Sequence, residues 1–164
     1  MSKRHIFLLV GGIGSGKSTF AERLCNEYYF HEMMFAKSLK EIANIIGFNK
    51  EHIYGTQEQK LIVDKFWKIS PREFLQKFGS EVCRDKLPQC IPSMALNNRT
   101  LWARIMEKKI EENYKDNLVI SDGRFPDEAE LIRENNGTII KIIRDNDNYT
   151  LRHGYMKQPD SIFM

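Results

Sequence analysis

The chain has 164 residues, 41% hydrophobic and 29% charged, long enough for one domain with a full core and ordinary in its balance. Its net charge of +3 and pI near 8.7 suit a small anionic substrate, and no lysine or arginine run is dense enough for a nucleic-acid patch, so no nucleic-acid partner is expected. Cys25, Cys83 and Cys90 form no C-x-x-C, and His5, His31, His52 and His153 are scattered, so neither a disulfide frame nor a zinc site is expected. No run nears the roughly 18 apolar residues of a membrane helix, and the first apolar run lies inside a binding motif, unlike a signal peptide. No membrane partner and a cytoplasmic location are the expectation.

The first element is an apolar strand, Ile6 to Val10. It breaks into Gly11-Gly12-Ile13-Gly14-Ser15-Gly16 and then Lys17-Ser18-Thr19, which opens a helix. This fits G-x-x-x-x-G-K-[ST] in its strand–turn–helix setting. Glycines let several backbone N–H groups turn toward one point, and the helix N-terminus adds partial positive charge. Gly12, Gly14, Ser15, Gly16, Lys17, Ser18 and Thr19 therefore form the candidate cradle for the phosphates of ATP, with Lys17 reaching the β- and γ-phosphates and Ser18 holding Mg²⁺.

The helix continues from Thr19 to about Tyr29, with Phe20 and Leu24 inward. Residues 30–36 read as a second strand interrupted by Glu32. Ser38-Leu39-Lys40-Glu41 reads as a capping box, followed by Leu39, Ile42 and Ile46 at helical spacing and a stop at Gly47. Residues 49–57 read as a polar connection and 58–68 as a short helix. Ser70-Pro71-Arg72-Glu73 starts a helix that runs to about Lys86, burying Phe74, Leu75, Phe78 and Val82 and carrying Arg72, Gln76, Ser80 and Arg84 at steps of four. Pro88 and Pro92 enforce a loop. Thr100 caps a helix with Leu101, Trp102, Ile105, Met106 and Ile110 on its stripe; Trp102 reads as core, and Trp67 is free to stack on a base.

Leu118 to Asp122 is a third strand. Pro126 opens a helix that Gly137 closes, and residues 138–143 form a fourth strand delivering Arg144. The alternation of strand and helix predicts a three-layer α/β fold of the P-loop NTPase type, a central parallel sheet flanked by helices. Ligands then bind beyond the strand C-termini. The phosphate loop, Asp122 and Arg144 all follow strand ends, so they are expected at one cleft. Asp122 is the second magnesium-organising carboxylate. Arg124, two residues on, and the arginines at 72, 84 and 144 supply the bidentate positive charge that phosphoryl transfer needs.

With these residues in view, the loop 11–18 followed by FAKSLKEIA, SPREFLQKFGSEVCR (70–84) and SDGRFPDEAELI (121–132) resembles the deoxynucleoside monophosphate kinases of bacteriophages and large DNA viruses, in the same order and spacing over residues 6–144. The resemblance implies transfer of the ATP γ-phosphoryl group to a deoxynucleoside 5′-monophosphate. It implies Lys17, Asp122, Arg124 and Arg144 as the catalytic set and Ser18 and Asp122 at Mg²⁺. Lys37, Arg72, Gln76, Arg84, Arg124 and Glu128 would line the acceptor, with Glu128 ordering Arg124. Residues 37–116 would be a helical acceptor-binding insertion in a single domain; at 145–164 the chain departs from the family's arginine-bearing lid, leaving a short or truncated lid segment in which Arg152 and His153 would stand in for part of it, and the resemblance leaves room for a homodimer. Dephospho-coenzyme A kinase shares the loop GGIGSGKS but carries Asp-x-Asp where this chain reads Met33-Met34-Phe35-Ala36-Lys37, and ranks lower. An ATP-binding regulator without turnover is the rival from another class.

Overall fold

The computed structural model describes residues 4–144; the expected lid at 145–164, with Arg152 and His153, lies outside them. Four strands, β1 (Ile6–Val10), β2 (His31–Met33), β3 (Leu118–Gly123) and β4 (Thr138–Lys141), form one parallel sheet in the order β2-β3-β1-β4. Helix α1 (Lys17–Tyr28) leads from β1 toward β2, and α8 (Pro126–Glu134) leads from β3 toward β4, in the opposite direction across the sheet. Right-handed crossovers of opposite travel put these helices on opposite faces. Leu9 and Val119 pack under Ala21 and Leu24 of α1, while Leu8, Val10 and Ile120 point the other way and are equally buried. A sheet buried on both faces explains why β1 and β3 read as continuous apolar runs. The three-layer α/β architecture is the one expected.

The described residues fall into two compact units: Phe35–Lys108, and a sheet unit made of 4–34 and 109–144. The Phe35–Lys108 unit is helical. It contains α2 (Ala36–Ile45), α3 (Lys50–Tyr54), α4 (Gln57–Lys60), α5 (Pro71–Gln76), a π-helical segment (Lys77–Lys86), α6 (Leu87–Cys90) and the start of α7 (Leu101–Glu112). Ala43, Phe48 and Ile53 form its core, with Ile46, Ile69, Phe74 and Leu75 packed around them. Trp102 is core, as read, and its indole N–H donates to the Gly79 carbonyl at 2.8 Å. Among the described residues no helix is long and apolar enough to cross a membrane.

Several local expectations give way to tertiary structure. The second strand covers only His31–Met33, because it is an edge strand paired to β3 alone, with His31 and Glu32 exposed. Helix α2 begins at Ala36 with no side-chain cap, so Ser38 lies inside the helix. Burial of Phe35 fixes the start and overrides the capping signal. The connection 49–57 holds α3, capped by Asn49, whose side chain accepts from the Glu51 N–H at 2.8 Å, and anchored by buried Ile53. The helix over 58–68 stops at Lys60. Asp64 accepts from the Phe66 and Trp67 N–H groups at 2.8 and 3.0 Å, a local turn that competes with helix and leaves Leu61, Ile62 and Phe66 exposed.

Pro71 starts α5 as expected, with Ser70 accepting from the Glu73 N–H at 3.2 Å. The continuation to Lys86 is π-helical, and Val82 is exposed where burial was expected. Pro88 lies within α6, which continues directly from the π-helical segment, so the loop begins only after Cys90. Strand β4 ends at Lys141, two residues early. At the end of α8 the left-handed residue is Asn136 (φ 55°). Gly137 is needed there for space, since a Cβ would press on Ile132 and on the Ile6 carbonyl at 2.9 Å.

Candidate phosphoryl-transfer site

Strand β1 ends at Val10 and the chain opens at once into the glycine loop. Gly14 (φ +74°) and Gly16 (φ +99°) hold left-handed conformations, and a Cβ on Gly12, Gly14 or Gly16 would meet nothing within 4 Å. The loop is therefore an open cradle whose turn, and not crowding, calls for glycine. Helix α1 starts at Lys17 with Gly16 at its N-cap, no side-chain cap bond and no acidic residue in its first turn. Its N-terminal N–H groups and partial positive charge suit an anion. Ser18 and Thr19 are exposed in that turn.

Lys17 folds back over the loop. Its ammonium donates to the Gly11 and Gly12 carbonyls, both at 2.7 Å, and to the Ser15 hydroxyl at 3.4 Å. Desolvation lowers its pKa most, the positive charge of Arg124 lowers it further, and Asp122 opposes both. Lys17, Asp122 and Arg124 thus share one electrostatic field.

Asp122 reaches that field through an irregularity. Leu8 pairs with Ile120 but Val10 pairs with Gly123, so Ser121 and Asp122 together oppose Leu9. A bulge of this kind re-aims the side chain it carries, here a half-buried carboxylate at the end of a buried strand. Gly123 permits it: a Cβ there would lie 2.6 Å from a Leu8 methyl. Two residues on, Arg124 is exposed at its side chain and tied at its backbone. One oxygen of Glu128 accepts from the Arg124 N–H at 2.7 Å and from the Phe125 N–H at 3.0 Å. Glu128 is only 3% exposed, and desolvation, opposed by those two N–H groups, pushes its pKa up to about 7.

Beyond β4, the Ile142 N–H donates to the Val10 carbonyl at 2.8 Å, and the Ile142 carbonyl faces Gly11 so closely that an added Cβ would collide with it and come within 2.9 Å of the Ser15 hydroxyl. Arg144, exposed, follows two residues later. The sheet unit therefore gathers the loop, Asp122, Arg124 and Glu128, and delivers the chain at Arg144 to the same end of the sheet. Gly11→Ala is expected to keep the fold but displace the loop, weakening binding of a fluorescent ATP analogue at least tenfold; unaltered binding would contradict this packing.

The other candidates lie in the helical unit. Lys37 is exposed in the first turn of α2. Arg72 is half-buried and donates to the Gln57 side chain at 2.6 Å; Gln76 ends α5, exposed, and half-buried Arg84 lies in the π-helical segment. Gln57 was not singled out by the sequence reading, and no local signal could find it, because it meets Arg72 from another helix 15 residues away.

The donor set available for a metal is a hydroxyl, Ser18, and a carboxylate, Asp122; no group of three or more His, Cys, Asp or Glu side chains exists among the described residues. One carboxylate and a hydroxyl beside phosphates fit Mg²⁺, which keeps several waters and takes few protein ligands.

No protein-family model matches the chain. It is 41% identical over 142 residues to the "Putative deoxynucleotide monophosphate kinase" of Acanthamoeba polyphaga mimivirus, covering 83% of this chain and 72% of that one. It is 32% identical over 89 residues to the deoxynucleoside-5′-monophosphate kinase of Escherichia phage T5, covering 51% of this chain and 32% of the phage protein.

Proposed function

The chain belongs to the deoxynucleotide monophosphate kinase family, and from that premise we propose that it moves the γ-phosphoryl group of ATP to a deoxynucleoside 5′-monophosphate, giving the diphosphate and ADP. The observation that carries the reading is geometric: Lys17 folded over the open glycine loop at the end of β1, with Asp122 at the bulged end of the neighbouring strand β3 and Arg124 just beyond it, its backbone held by Glu128. Lys17 exchanges its two loop carbonyls for β- and γ-phosphate oxygens. Ser18 and Asp122 would hold Mg²⁺, which neutralises charge on the phosphates when bound. Arg124, its backbone fixed by Glu128, offers its guanidinium to the phosphoryl group in flight, and Arg144 adds a second cation.

Lys37, Arg72, Gln76 and Arg84 hold the acceptor. An oxygen of its phosphate attacks the γ-phosphorus as the bond to the β-bridging oxygen breaks, and ADP leaves. That oxygen is already anionic at neutral pH, so alignment and charge neutralisation suffice without a strong base. The same reading sets the reaction in the cytoplasm, that of the host cell for a viral chain. It leaves the pairing of two copies to size-exclusion chromatography with light scattering.

A coupled ADP-release assay with ATP·Mg²⁺ and each of dTMP, dGMP, dCMP and dAMP tests the proposal. Release that depends on at least one of them is expected. ATP binding with no acceptor-dependent release would favour the regulator, and release with dephospho-coenzyme A alone would favour the other kinase.

A further inference from the structure

Residues 72, 76, 80 and 84 recur at steps of four, and in a straight α-helix such a row does not stay on one side. Four residues at 3.6 per turn advance about 40°, so Arg84 would lie about 120° round the helix from Arg72. The helix is not straight α. Lys77–Lys86 is π-helical, closed by the Leu87 N–H on the Val82 carbonyl five residues back. At about 4.4 residues per turn, four residues fall short of a full turn by about 30–40°. The advance from Arg72 to Gln76 is then undone from Gln76 to Ser80 and from Ser80 to Arg84, and all four stay within about 40° of Arg72.

Burial reads out the same rotation independently. Three residues after buried Gly79, Val82 would lie about 60° from the inner direction in an α-helix and about 115° from it in a π-helix. Val82 is 41% exposed and Cys83 is 4% exposed. Gly79, beside Phe78, lies under the Leu39 side chain, where a Cβ would sit 2.6 Å from a methyl. The inner face therefore runs Pro71, Leu75, Gly79, Cys83, and the polar row runs beside it, with Arg72, Ser80 and Arg84 half-buried.

We infer that the π-helical register of residues 77–86 is the positioning element of the acceptor site: it swings Arg84 and Ser80 into line with Arg72 and Gln76, making one continuous polar surface for the deoxynucleoside monophosphate. The assignment of the row to the acceptor rests on the function proposed above; the register rests on the helix itself. Over the eight steps from Gln76 to Arg84 the π register turns about 145° less than an α-helix would, and removing one residue, about 100°, recovers most of that difference. Without Glu81, Arg84 would stand eleven residues after Arg72, and eleven steps of about 100° return it to within about 20° of the same direction. Cys83 would stand four after Phe78, still inward.

This gives a test opposite in sense to the usual result of a helix deletion. Deleting Glu81, an exposed residue outside the row, is expected to leave a folded protein with melting temperature within a few degrees of the parent and an acceptor KM within about threefold. Inserting one alanine after Ser80 is expected to raise acceptor KM at least tenfold with ATP affinity within twofold, as is Arg84→Ala. Val82→Lys is expected to change neither melting temperature nor KM. A Glu81 deletion that unfolds or loses acceptor binding, a Val82→Lys that unfolds, or an Arg84→Ala with unchanged acceptor KM overturns the inference. A parent protein that phosphorylates no deoxynucleotide refutes the function instead, and the melting temperatures of the Glu81 deletion and Val82→Lys still decide the register.

Discussion

Lys17→Ala is expected to lower kcat for phosphoryl transfer by about a thousandfold, with circular dichroism and melting temperature close to the parent's. The lysine is only half-buried, and its three hydrogen bonds all go to its own loop. Removing it therefore takes little from the fold. With no bound phosphate, desolvation and the Arg124 guanidinium disfavour the charged form of Lys17, and Asp122 offsets only part of this. Binding a triphosphate reverses that balance, because negative charge enters where two cations already stand. Lys17→Arg is expected to recover only part of the activity, since a planar fork cannot sit on two carbonyls as a compact ammonium does. Turnover within tenfold of the parent in Lys17→Ala would contradict the role given to the loop.

The second large effect concerns Glu128, whose two variants are expected to diverge. Glu128→Ala leaves the Arg124 and Phe125 N–H groups without the acceptor they share, a loss of about 2–4 kcal/mol in stability, and frees the turn that carries Arg124, so kcat falls with it. Glu128→Gln keeps an oxygen for both N–H groups and removes a carboxyl that burial pushes up to about 7. Between the ordinary carboxyl value near 4.5 and about 7, the folded chain holds a proton that the unfolded chain has released. Stability from this group is therefore full at low pH, declines as pH rises through that window, and is level above it. Thermal melts from pH 5 to pH 8 are expected to show the glutamine variant gaining on the parent as pH rises, with most of kcat kept. A gain of the parent over the glutamine variant toward pH 8 would reverse the assigned sign. If alanine and glutamine lowered kcat equally, a positioning role for Glu128 would fail.

How far these features were legible in the sequence depends on how local their causes are. Strand β1, the loop, Pro71 at the start of α5 and the strand carrying Asp122 each rest on signals contained in a few neighbouring residues, and each lies where it was read. The parallel three-layer sheet followed from their alternation. What escaped is set at a distance. Burial of Phe35 moves the start of α2, and Asp64 folds back on Phe66 and Trp67 to end the helix after Lys60. The bulge at Ser121–Asp122 needs the pairing of β3 with β1. The π-helical segment packs against Leu39 at Gly79 and takes the Trp102 indole on the Gly79 carbonyl, contacts from residues far away in sequence. The polar row was visible as a spacing of four, but α-helical geometry would have dispersed it. Its alignment is a property of the folded unit.

The most direct measurement follows the phosphorus itself. Incubation with [γ-³²P]ATP, Mg²⁺ and unlabelled deoxynucleoside monophosphates, with products separated by thin-layer chromatography, is expected to show label moving into a deoxynucleoside diphosphate at a rate that Lys17→Ala abolishes. Label recovered only in ATP and inorganic phosphate, with no labelled deoxynucleoside diphosphate from any of the acceptors, would contradict the account.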